Sequence, residues 1–222
     1  MKISAITGAR IIALFELNDL YPYGGVSLAR ITPKVVERLD FKDFPVTKEQ
    51  FDESKGVTFQ DGVWNGLPIE KLTIYNDGIV LDANQNTTTS LRILREVLGW
   101  AGEELGLSVS ERMFGRLRYV SSFAFYSEVP NLLSSSPVKK LADKLSSRVN
   151  PILGKTRAYE PVRIDIEFDR SDDRANTTGL SIQRRANATF EENKYYTQAP
   201  VPTDTHKELI EQFEMDVLSS RG

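Results

Sequence analysis

Asp77-Gly78 lies between two runs in which apolar residues alternate, 69–76 and 79–83. This feature constrains the fold more than any other in the chain. A type I′ turn needs φ > 0 at both central residues, which Asp-Gly tolerates, so the two runs read as a hairpin with a two-residue loop. That loop pairs Asn76 with Ile79, Ile74 with Leu81 and Leu72 with Ala83 on a core-facing side. Tyr75, Val80, Thr73 and Asp82 fall on the other side. A hairpin at this position commits the chain to antiparallel sheet.

The pattern recurs toward the C-terminus. Val162, Ile164, Ile166 and Phe168 alternate with Arg163, Asp165, Glu167 and Asp169, which predicts a half-buried strand. A polar turn over 170–178 and a strand starting at Leu180 and Ile182 complete a second hairpin. Residues 118–127 read as a further strand, with Tyr119, Phe123 and Phe125 on one face.

Three segments have helical periodicity. Over 89–105, Leu91, Leu94, Val97, Leu98, Ala101 and Leu105 form one stripe; a hydroxyl from Thr87, Thr88 or Thr89 supplies the cap and Gly106 the left-handed stop. Over 137–149, Pro137 suits the first turn and Val138, Leu141, Ala142, Leu145 and Val149 face inward, with Pro151 ending the helix. Over 206–219, Leu209, Ile210, Phe213, Val217 and Leu218 face inward, and Thr205 with Glu208 forms a capping box.

Residues 1–68 carry weaker signals. The apolar run 11–15 suits a buried strand or a short helix. Tyr21-Pro22-Tyr23-Gly24-Gly25 reads as a turn, and Pro33 and Pro45 interrupt any long element. Phe41, Phe44, Phe51, Phe59 and Trp64 are spread through a polar, loop-like stretch, as anchors to a core or to a neighbouring subunit. The expected fold is one α+β domain over 1–222: a mainly antiparallel sheet built from hairpins, about three amphipathic helices on one face, and a loop-rich 1–68 engaged in subunit contacts.

Composition narrows the chemistry. The 222 residues include no Cys and one His, which excludes disulfides, zinc-thiolate sites, iron–sulfur clusters and cysteine nucleophiles. No G-x-S-x-G, P-loop, G-x-G-x-x-G or kinase signature is present. The apolar run 11–17 is too short for a secretion signal, and no run approaches the roughly 20 apolar residues that span a bilayer. The sequons at Asn86, Asn176 and Asn187 then read as polar turn and strand residues. The expected location is the cytoplasm, or a particle assembled there.

Three groups remain as candidates for chemistry. His206 reads as a partly exposed residue at the start of the last helix. Asp165, Glu167 and Asp169, followed by Asp172 and Asp173, would cluster oxygens suited to Mg²⁺ or Ca²⁺ in a carboxylate–metal nuclease; Arg163, Arg184 and Arg185 favour a solvated, ion-paired strand face, so no metal is expected. The segment 134–163 carries seven cations (Lys139, Lys140, Lys144, Arg148, Lys155, Arg157, Arg163) against Asp143 and Glu160. Within it Lys140, Lys144 and Arg148 share one helix side and could neutralise phosphates. A net charge of −3 makes a general polyanion binder the weaker reading.

No residue set reads as catalytic, and no cofactor is implied. The composition points to a structural or interaction protein rather than an enzyme: a subunit of a homo-oligomer or larger assembly, viral-type particles included. Its contacts are expected at Phe41, Phe44, Phe51, Phe59, Trp64, Tyr195 and Tyr196. The alternative is nucleic-acid association through the helix at 137–149.

Overall fold

The computed structural model describes residues 1–21, 27–168 and 178–221. The described residues hold eight strands and four α-helices: β1 (Lys2–Leu14), α1 (Leu28–Leu39), β2 (Val57–Trp64), β3 (Leu67–Tyr75), β4 (Gly78–Ala83), α2 (Thr87–Leu105), β5 (Leu117–Tyr126), α3 (Ser136–Leu153), β6 (Arg163–Ile166), β7 (Leu180–Arg184), β8 (Lys194–Ala199) and α4 (Thr203–Ser219). The strands form an antiparallel sheet in the order β2-β3-β4-β1-β5-β8-β7-β6. The fold is therefore α+β. No helix among the described residues is long and apolar enough to cross a membrane. The chain divides into two compact units, Ile6–Ser121 with Pro200–Thr203, and Met1–Ala5 with Ser122–Ala199 and Asp204–Gly222.

In the first unit, the hairpin forms where the sequence places it, but in another register. The loop is Asn76-Asp77, with Tyr75 opposite Gly78, Ile74 opposite Ile79 and Leu72 opposite Leu81. Each partner moves by two residues, which leaves every side chain on its expected face because the strand period is two. Contacts with β1 and the residues after it explain the shift. The Asn76 and Asp77 carbonyls accept from the amides of Leu17 (2.8 Å) and Phe15 (3.1 Å). Gly78 has φ +154, and a Cβ there would collide with the Ala13 carbonyl oxygen. The glycine therefore permits a close approach of β1 rather than supplying the second residue of a type I′ turn.

The stretch expected to be loop contains β2. It escapes a period-two search because its buried residues are Val57 and Phe59, then Gly62 and Trp64. The parity changes at Asp61, which has φ 55. Pro33 likewise does not break α1. It lies on the exposed side, as does Ala29, whose carbonyl loses its helical donor, so water can satisfy that oxygen. Leu28, Val35 and Leu39 of α1, with Ile93, Leu94 and Val97 of α2, close over Ile11, Phe59, Ile69 and Leu81 of the strands.

The cap of α2 is Asn86 rather than a threonine: its Oδ1 accepts from the Thr89 amide at 2.7 Å, and Gly106 ends the helix in the left-handed conformation. Thr87 bonds reciprocally with Thr203, each amide donating to the other's hydroxyl at 3.0 and 2.8 Å. We expect Asn86→Ala to lower stability by about 1 kcal/mol, read from the urea midpoint. An unchanged midpoint would show that water replaces the cap.

In the second unit, β6 pairs with β7 and β7 with β8, setting Ile164 opposite Ile182 and Gln183 opposite Tyr196. Tyr195 and Tyr196, which also suit the end of a strand packing on the last helix, lie in β8. Phe123, Phe125, Leu132, Ile182, Tyr195 and Ile210 form the core. Helix α4 starts at Thr203, three residues before the expected start, so His206 lies within its first turns instead of at the cap. The imidazole is fully buried. Its Nε2 lies 2.8 Å from Thr197 Oγ1, and its ring centre 4.5 Å from that of Phe123. The α-ammonium of Met1 donates to Glu214 Oε2 at 2.9 Å, and this hydrogen bond raises the pKa of the ammonium. Ile210, Phe213 and Val217 pack on the core as the apolar pattern suggests, and His206 and Glu214 are buried with Ile210 at i, i+4 spacing. Leu209 and Leu218 are left exposed.

Candidate interaction surface

Helix α3 carries a long apolar stripe. Val138, Leu141, Ala142, Leu145, Val149, Ile152 and Leu153 recur at three- and four-residue intervals, so they share one side of the helix. Pro137 occupies its first turn and Gly154 its left-handed C-cap. The helix runs through Pro151, which the sequence reading makes its end.

The stripe does not enter the core. Not one residue of α3 is buried; Leu141 is 68%, Leu145 46% and Ile152 81% exposed. The expectation that Val138, Leu141, Ala142, Leu145 and Val149 face inward is therefore corrected: Val138, Leu141 and Leu145 are exposed, and Ala142 and Val149 are only half-buried. Polar contacts from the returning chain hold the helix instead. Ser146 Oγ accepts from the Tyr159 amide at 3.0 Å, and the Asn150 side chain bonds both the carbonyl (3.0 Å) and the amide (2.9 Å) of Arg157. A pattern search cannot distinguish this arrangement from a core helix, because the same period suits any apolar partner.

β6, last in the strand order, is also open. Ile164 is half-buried, but Val162, Ile166 and Phe168 are exposed, so this face is not the half-buried one its alternation suggests. An edge strand with exposed apolar side chains is a ready partner for another chain. On its other face Arg163 Nε donates to both carboxylate oxygens of Asp165, at 2.8 and 2.6 Å, and this bond raises the Arg163 pKa. Among the described residues no group of three or more His, Asp or Glu could hold a metal ion. Asp169, Asp172 and Asp173 lie outside the described residues, as do Asn176 and most of the turn expected at 21–25.

Lys140, Lys144 and Arg148 are exposed along one side of α3, while Lys139 pairs with Asp143 at 3.2 Å. The proposed contact aromatics lie elsewhere. Phe41, Phe59 and Trp64 are buried in the first unit, with Phe44 and Phe51 packed partly buried against the same core. Trp64 Nε1 donates to Glu96 Oε2 at 2.7 Å, which lowers the Glu96 pKa, and the Arg38 guanidinium lies 4.3 Å from the Trp64 ring centre. Tyr195 is fully buried in the second unit; its hydroxyl accepts from the Leu132 amide at 3.2 Å. Tyr196 is half-buried, and its hydroxyl donates to Gln198 Oε1 at 3.2 Å. Own-chain packing thus encloses four of these seven side chains and partly covers the other three.

Searches against protein-family models and characterised proteins returned no match for this chain.

One surface was missed. α4 places Asp204, Glu208 and Glu211 in a row with Met215, at positions i, i+4, i+7 and i+11; Glu211 is half-buried and the other three are exposed. Counting charge by helix would have shown the contrast: α3 carries four cations and one acid, α4 five acids and one lysine.

Proposed function

We propose that this chain is a non-enzymatic assembly subunit that joins its neighbours through the open apolar faces of the second unit. The observation that carries this reading is α3, an 18-residue amphipathic helix with no buried residue. Exposing such a stripe to water is unfavourable, by about 25 cal/mol for each Å² of apolar surface. Contiguous exposed apolar surface on a soluble fold marks an interaction site. The contact set therefore moves from the N-terminal aromatics to α3 and β6.

Light scattering on a sizing column, with the 260/280 nm absorbance ratio read on the same peak, tests the proposal. We expect a concentration-dependent multimer at micromolar protein with the ratio of protein alone. A monomer throughout that range overturns it.

One observation favours nucleic-acid association instead: Lys140, Lys144 and Arg148 are exposed together. That reading requires affinity to fall log–log linearly with salt, with a slope of about −0.7 to −0.9 per phosphate neutralised. We expect no retention of DNA or RNA at moderate salt. A polyanion would cover the cations but leave Leu141 and Ile152 in water.

A further inference from the structure

We infer that the open side of α3 is covered by α4 of a second copy of this chain; this rests on the assembly reading above and names its partner surface. Charge identifies the occupant. Arg148 and Lys144 run along one edge of the apolar stripe of α3, Lys140 lies further round on the outer side of the helix, and Asp143 is its only acid. α4 has the opposite balance, and its exposed Leu209, Met215 and Leu218 lie among Asp204, Glu208, Glu211 and Asp216. A basic helix with an apolar stripe thus meets an acidic helix with apolar side chains of its own. Opposite charge across an interface steers the encounter and excludes wrong partners.

The same charges exclude the simpler pairing. A two-fold contact of α3 with α3 would bring the edge cations Lys144 and Arg148 of the two copies together, and α4 with α4 would do the same with carboxylates. Nor does one copy satisfy itself, since both faces are exposed within the chain. The remaining pairing sets α3 of one copy on α4 of another, either twice across a two-fold axis, which closes a dimer, or head to tail, which yields a ring or a filament. An anionic bilayer would also cover a basic amphipathic helix, but the acidic surface of α4 is supplied at the concentration of the chain itself, and a net charge of −3 opposes approach to anionic lipid.

Two charge-reversed proteins test the pairing. One carries Lys144→Glu and Arg148→Glu, the other Glu208→Lys and Glu211→Lys. Lys144, Arg148 and Glu208 are exposed and Glu211 is half-buried, so circular dichroism and the thermal midpoint should match wild type. Each variant alone should self-associate at least about tenfold more weakly, because its contact then joins like charges. An equimolar mixture should regain wild-type assembly, since the acidic α3 of one now meets the basic α4 of the other. Leu141→Ser, at a residue 68% exposed, should weaken association without altering the thermal midpoint, and gives a reading should a charge reversal fail to fold. A monomeric wild type overturns the assembly reading and this one together. Wild-type assembly that ignores both reversals overturns only the α3–α4 contact. Variants that dissociate without recovering on mixing show that something other than α4 covers α3. A monomer that binds phosphatidylserine vesicles but not itself assigns the helix to a membrane surface.

Discussion

Arg184→Met should destabilise the second unit by about 3 kcal/mol, the low end for removing one partner of a buried ion pair. The Arg184 side chain is 6% exposed, and Nη2 donates to Glu160 Oε2 at 3.0 Å and to Asn131 Oδ1 at 2.8 Å. Nη1 donates to the Phe190 carbonyl at 3.0 Å, and the guanidinium lies 4.6 Å from the Phe190 ring centre and 5.3 Å from that of Tyr195. Methionine keeps the stem but leaves Glu160 and Asn131 without their donor. Two features hold the loss to the low end. The Glu160 side chain is 22% exposed, so water partly replaces the arginine, and Arg184 Nε has no partner among the described residues, so that orphaned donor is removed too. Lysine should recover little, because one ammonium cannot reproduce a forked contact. Glu160 lies at the end of the chain returning from α3, so the variant should also be cleaved faster by protease over 154–160. A loss under about 1 kcal/mol, with unchanged proteolysis, would show that the network is solvent-screened.

Phe59→Ala should cost about 3–5 kcal/mol in the first unit, the range for removing a buried aromatic, and leave association per folded molecule unchanged. The ring is enclosed, with its centre 5.4 Å from that of Phe41. Both tryptophans, Trp64 and Trp100, belong to this unit, so intrinsic fluorescence follows its unfolding separately. A fall of several °C in that transition is the expected reading. Weakened association at unchanged stability would instead return Phe59 to an interface.

These two substitutions mark what local sequence can and cannot decide. The cation–carboxylate–amide cluster around Arg184 joins residues 53 and 24 positions away. No local pattern encodes such a meeting; strand alternation alone sets Arg184 across the ladder from the acids of β6. Phe59 was visible as a large apolar residue, but the change of parity at Asp61 hid the strand that buries it.

Local chemistry sufficed wherever an element's own residues carried the decision. The α+β class, the two faces of the β3–β4 hairpin, the left-handed stop at Gly106 and the existence of α2, α3 and α4 all follow from spacing, because side-chain direction repeats every two or 3.6 residues whatever lies opposite. What lies opposite came only from the tertiary structure. The hairpin register moved by two because β1 passes within contact of Gly78. The last helix buries His206, Ile210 and Glu214 and leaves Leu209 exposed, a choice of face set by what packs against it. The stripes of α2 and α3 look alike in sequence, yet one closes the first core and the other faces water, since periodicity specifies that a helix has an apolar side and not which surface covers it.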